Sequence, residues 1–120
     1  NLEQVQTSVI RFGGLIGKGR HPVKYLSGKT GLKNPEAPVN LIHLDNCLLL
    51  ISEIIIQNKF GMVFHGVEDI LLSKEEYYKQ KAEELDLPIP EFAHEEKSVG
   101  KNISMKRTAK VLSLKLENKV

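Results

Sequence analysis

The run Val9-Ile10-Arg11-Phe12-Gly13-Gly14-Leu15-Ile16-Gly17-Lys18-Gly19-Arg20-His21-Pro22 constrains this chain more than any other stretch. Thr7 to Phe12 is rich in β-branched and aromatic residues and stops at a glycine pair, which predicts a buried strand. Four glycines within positions 13–19 then let the backbone approach a ligand closely. Arg20 follows, a permanently charged planar fork suited to phosphate or carboxylate. On residue type alone, the glycines read equally as a tight turn and Arg20 as a solvated surface side chain.

Strand and helix signals alternate along the rest of the chain, which predicts an α/β fold. Gly17 to Pro38 reads as a long loop with a short helix around Pro22–Leu26. Asp45 is placed to cap a helix running to Gln57, with Leu44 and Leu49 as its hydrophobic staple. Asn46, Glu53 and Gln57 would form its narrow wet stripe. Leu48, Leu49, Leu50, Ile51, Ile54, Ile55 and Ile56 cover the remainder, so this helix must be buried on most sides. Gly61 to Val67 reads as another strand. Ser73-Lys74-Glu75-Glu76 is a capping box with Leu72 and Tyr77 as its staple, followed by a seam of Tyr78, Ala82 and Leu85. Pro88 and Pro90 end that helix, and Glu91–Ala93 reads as a short edge strand. Ser104 would cap a last helix with Met105, Thr108, Ala109 and Leu112 on one face.

The length of 120 residues suits one domain, 1–120, and 41% apolar with 27% charged residues is ordinary for a globular chain. The 17 Lys and Arg are scattered among 15 Asp and Glu, so no basic stripe points to nucleic acid. Cys47 stands alone, which rules out an intrachain disulfide framework and favours a reducing compartment. The apolar stretch Leu48–Ile56 is broken by Ser52 and Glu53 and is too short to span a bilayer. With no signal peptide visible, the expected location is the cytoplasm and no membrane partner is expected. The opening Asn1-Leu2-Glu3 lacks a methionine, as a fragment would. Neither i,i+4 pairing nor neighbouring cysteines attend His21, His43, His65 or His94, so no metal site is expected. Gly28-Lys29-Thr30 looks like the end of a phosphate-binding loop, but Val23 occupies the position where that loop needs glycine.

The glycine run, with Val39-Asn40-Leu41-Ile42-His43-Leu44-Asp45, resembles the C-terminal half of NAD(P)-dependent epimerase/dehydratase proteins. These form the extended and atypical branch of the short-chain dehydrogenase/reductase family. The pattern there reads roughly R-x-x-G-[IL]-Y-G-P-G-R, then N-x-I-H-x-D-D. Ile16 and Lys18 depart from it, replacing the usual tyrosine and proline. Val99–Ser104 resembles the family's segment before its last helix, and Ser113 stands where glycine is usual. The likeness is strongest over Thr7–Asp45 and weaker over Gly61–Leu114.

This resemblance implies the C-terminal, substrate-side portion of a Rossmann-type epimerase/dehydratase fold. No G-x-G-x-x-G fingerprint opens the chain, so the dinucleotide-binding half is expected to be absent. Phe12, Gly13 and Gly14 match positions beside the nicotinamide of NAD or NADP, bound in the intact protein only. Arg20 matches the region that holds a diphosphate. Asn40 matches a residue facing the substrate cleft, and His43 one that fixes the strand-to-helix turn beside it. Asp45 is expected to act as a cap. Tyr77 and Lys81 have the Tyr-x-x-x-Lys spacing of the family's proton-transfer pair, yet they follow the first strand where the family's pair precedes it. They are expected to be a surface pair, so no catalytic residue is assigned. The implied partners are the missing N-terminal Rossmann half, a sugar, nucleotide sugar or related carbonyl substrate, and a second copy of the chain covering the apolar helix or strand. The alternative is an independent binding or interaction module without redox chemistry.

Overall fold

A computed structural model describes residues 6–120. The elements in order are β1 (Val9–Phe12), β2 (Gly14–Ile16), α1 (Pro22–Leu26), β3 (Leu41–His43), α2 (Leu44–Ile56), β4 (Val63–Gly66), α3 (Lys74–Glu84) and α4 (Lys106–Leu112). The architecture is mixed α/β. The chain divides into two compact units, one made of residues up to Leu15, Leu41–Asp69 and Ile103–Val120, the other of Ile16–Asn40 and Ile70–Asn102.

In the first unit β1 and β4 run parallel in the register Val9↔Val63 to Phe12↔Gly66, and β2 pairs with β3. The core joins Ile42, Cys47, Leu50, Ile54, Phe64 and Leu112, with Ile10, Met62, Met105 and Val111 packed against it. Thr108 of α4 ties that helix to β4: its hydroxyl donates to the His65 carbonyl and accepts from the His65 N–H. Ser104 Oγ accepts from the Lys106 N–H, while Met105 holds the cap position of α4.

Three expectations for this unit are corrected. Val9, Arg11 and Phe12 are exposed, so β1 is not a buried strand; among the described residues it has β4 as its only strand neighbour. The cap of α2 is His43, whose Nδ1 accepts from the Asp45 N–H at 3.1 Å, so the helix starts before Asp45 and takes that acid into its first turn. The predicted wet stripe also does not hold as drawn, because its first member joins Leu50 and Ile54 in the core. Asn46 is 2% exposed, whereas Ile55 is 61% and Ile56 74% exposed. Asn46 turns inward because its Nδ2 finds the Glu117 carbonyl at 2.8 Å, and Gln57 likewise reaches the Leu112 carbonyl. The core therefore meets α2 along Asn46, Cys47, Leu50 and Ile54, leaving much of its apolar surface uncovered.

The second unit is built on α1 and α3. Gly17 and Arg20 close a two-residue hairpin turn in which Lys18 (φ 48) and Gly19 (φ 78) both adopt left-handed backbone, the geometry of a type I′ turn. Pro22 opens α1 and Val23 is fully buried. The capping box of α3 is present in both directions: Ser73 Oγ accepts from the Glu76 N–H and Glu76 Oε1 from the Ser73 N–H. Tyr78 and Ala82 are buried as the seam requires, but Leu85 is exposed because α3 stops at Glu84 and Asp86 turns left-handed (φ 54) before the prolines are reached. The expected edge strand at Glu91–Ala93 is reduced to a single parallel bridge between Leu32 and Phe92. Among the described residues, no helix is long and apolar enough to cross a membrane.

Candidate functional site

Parallel pairing brings the carboxyl ends of β1 and β4 together at Phe12 and Gly66, and crevices outside such ends are where open α/β sheets take ligands. A side chain at Gly66 has no room here: a Cβ would lie 2.7 Å from Phe12 Cδ1 and 2.8 Å from Leu50 Cδ1. The missing Cβ therefore seats the Phe12 ring, which remains 38% exposed. The Gly13 N–H donates to the Gly66 carbonyl at 2.9 Å, extending the ladder by one bond. Gly14 belongs to β2 rather than to an open glycine loop. The glycine run is thus a bend, a strand and a tight turn in succession. Gly66 itself was not singled out by the sequence, because its need for a bare backbone comes from Phe12 on another strand.

His43 ends β3 and caps α2, and its side chain is 24% exposed. An Nδ1 that accepts from backbone leaves the neutral ring's proton on Nε2, which has no partner among the described residues. The His43 N–H donates to Glu68 Oε2 at 2.5 Å. Glu68 is 2% exposed, and its Oε1 also accepts from the N–H groups of Lys119 and Val120. Burial and the nearby Glu68 charge together push the Cys47 thiol above its ordinary pKa.

Arg20 and Asn40 belong to the second unit. Arg20 closes the hairpin turn and is exposed, and Asn40 Nδ2 donates to the Lys101 carbonyl at 2.7 Å. Tyr77 is not the surface residue expected of it. It is 5% exposed, because His21 on α1's leading edge comes to meet it: His21 Nε2 lies 2.8 Å from Tyr77 Oη, and the ring of Tyr78 completes an aromatic cluster. Lys81 Nζ sits 5.9 Å from the Tyr77 ring. His21 Nδ1 accepts from the Val23 N–H, so His21 caps α1 as His43 caps α2. Elsewhere in this unit, His94 Nε2 bonds Glu75 Oε1 at 2.9 Å and, with Lys79, holds the Glu75 carboxyl below its ordinary pKa. His94 also lines an open depression of about 570 Å³ together with Pro35, Ala37 and Pro38. Among the described residues, no three His, Cys, Asp or Glu side chains gather as metal ligands.

No family model matches the chain. Among curated proteins it is similar to protein YeeZ of Escherichia coli K12, with 32% identity over 92 residues, covering 77% of this chain and 33% of YeeZ. The YeeZ of Escherichia coli O157:H7 matches to the same extent. The chain thus spans about a third of the length of the curated relatives it matches. Among solved structures, a functionally unknown conserved protein from Silicibacter pomeroyi superposes with a TM-score of 0.72 at 20% identity, over 92% of this chain and 44% of that one. The α/β fold described above therefore recurs within a longer chain.

Proposed function

We propose that this chain is the C-terminal, substrate-side portion of an NAD(P)-dependent epimerase/dehydratase-like protein acting on a sugar, nucleotide sugar or related carbonyl compound. The observation that supports this most is the parallel pair β1 and β4, whose carboxyl ends set an open Phe12 ring on a glycine that must stay bare. Parallel sheets are normally covered on both faces. Here Val9, Phe12 and Val63 are exposed, as are Leu48, Ile51 and Ile55 of α2. A Rossmann half supplied by a longer protein would cover such surface. A second copy of the chain is the other proposed partner, and light scattering at micromolar concentration reads it: a clean monomer with a cooperative melt excludes self-association.

The residues present fit one edge of a dinucleotide. Phe12 offers a flat apolar face beside the strand end, while the glycine turn ahead of α1 is closed on itself by the Gly17–Arg20 hydrogen bonds. When bound, the nicotinamide would supply hydride chemistry. Of this chain's own residues, Phe12, Gly13 and Gly14 would border the ring. In the first unit His43 would orient the substrate; Arg20 and Asn40, of the second unit, are each suited to a polar group of a substrate, Arg20 to a phosphate or carboxylate. Proton transfer would fall to groups outside this chain. Calorimetric titration with NADH and NADPH tests the division: this chain alone gives no micromolar binding, and binding appears once the upstream half is joined to it. Micromolar binding by the chain alone would overturn the proposal.

One observation favours the second reading, a binding module without redox chemistry. The Gly13 N–H, Asn40 Nδ2 and His43 Nδ1 are each engaged in hydrogen bonds within their own unit. Absence of any nicotinamide binding in the longer protein would decide for it.

A further inference from the structure

We propose that Glu68 couples the segment after α4 to His43, making that segment a strap that positions the histidine. The functional weight of this inference rests on His43 facing substrate, as proposed above. Beyond Ser113, which leaves α4 in left-handed backbone (φ 51, ψ 46), the chain runs to Val120 without helix or strand. It is nonetheless held along its length. Leu114 and Leu116 pack on the core of the first unit, Asn46 Nδ2 donates to the Glu117 carbonyl, and Asn118 Nδ2 donates to the Asp69 carbonyl at 2.7 Å. Lys119 Nζ lies 3.7 Å from Asp45 Oδ2 in the first turn of α2.

Glu68 is where the strap meets the candidate site. Its two carboxylate oxygens divide the work: Oε1 accepts from Lys119 and Val120, and Oε2 accepts from the N–H of His43. A buried carboxylate is tolerated because those donors replace water, and it becomes costly when they are withdrawn. With the strap's two N–H groups gone, Oε1 would be buried without a donor, and the side chain would turn toward water, taking Oε2 away from His43. The peptide that sets the α2 cap would then lose its outer support. The Nε2–H face of His43 would lose its fixed direction with it.

The test keeps the full chain. Proline has no N–H, so the double variant Lys119→Pro, Val120→Pro removes both strap donors, and Lys119→Gln controls for the lost ammonium. Amide exchange at His43 and at Asp45, whose N–H is capped by the His43 ring, is read by nuclear magnetic resonance. Exchange at His43 becomes about tenfold faster or more, the fold-change a lost hydrogen bond to a charged group implies, and exchange at Asp45 quickens with it. Glu68→Ala, which removes both acceptor oxygens, gives the same two changes, and Lys119→Gln gives neither. If the double variant does not fold, Glu68→Ala is read in its place. Unchanged exchange at His43 and Asp45 in the folded double variant, or in folded Glu68→Ala, overturns the coupling. Neither readout involves substrate, so the substrate reading fails separately, when His43→Ala leaves the KM of the longer protein unchanged.

Discussion

Two histidines perform the same backbone task in this molecule and differ in everything else. His21 caps α1 and His43 caps α2, each by an Nδ1 that accepts from an N–H two residues on. The second nitrogen separates them. His21 Nε2 meets the buried Tyr77 hydroxyl, and burial, reinforced by Lys81 and Lys24 and opposed by Glu84, lowers its pKa from 6.5 to about 4. His43 Nε2 has no partner among the described residues, and its backbone is held by Glu68. A histidine with both nitrogens committed is a structural element, whereas one committed at a single nitrogen keeps a donor for a ligand.

The comparison breaks first at His21. His21→Ala removes the cap of α1 and the bond to Tyr77, so thermal or denaturant melts should show a loss of about 2–3 kcal/mol. Acid should act on the same residue. A histidine whose folded pKa is depressed contributes stability that is whole above pH 6.5 and is lost as pH falls from 6.5 toward 4. His21→Asn retains a capping acceptor without that titration, and its melting temperature should fall less steeply across this window. An unchanged slope would mean the ring is not held neutral. Tyr77→Phe should cost about 1 kcal/mol, the value of one neutral hydrogen bond. In the longer protein it should leave turnover within about twofold, since Tyr77 is buried against His21. A collapse of kcat there would make Tyr77 a proton-transfer group. The smallest stability effect is expected at His43→Ala, about 0.5–1 kcal/mol for a cap alone.

Local rules were legible wherever the structure is decided locally. Ser73 and Glu76, three apart ahead of a helical run, announced a capping box that is present in full, and Pro22–Leu26 forms the short helix read in the long loop. In the glycine run the sequence leaves a ligand-facing loop and a tight turn both open, and the type of the turn that Gly17 to Arg20 close becomes apparent only from the backbone of Lys18 and Gly19. Periodicity in α2 correctly separated a polar stripe from an apolar remainder. It does not show that Asn46 joins Leu50 and Ile54 in the core, because Asn46 is drawn inward by a carbonyl seventy-one residues away. Glu68 was invisible for the same reason: a carboxylate is expected in water unless distant backbone donors converge on it, and those come from His43, Lys119 and Val120. At the candidate site, Phe12 was singled out from the sequence and Gly66 beneath it was not.

The single cysteine of the chain lies 4% exposed on the inner face of α2, one residue from Asn46, which holds the strap, and its thiol resists ionisation. Thiolate rather than thiol reacts with disulfide reagents, so the folded form offers such a reagent almost nothing. Labelling of Cys47 should therefore proceed at the frequency with which this unit opens, making the thiol an intrinsic clock of local unfolding that requires no introduced probe.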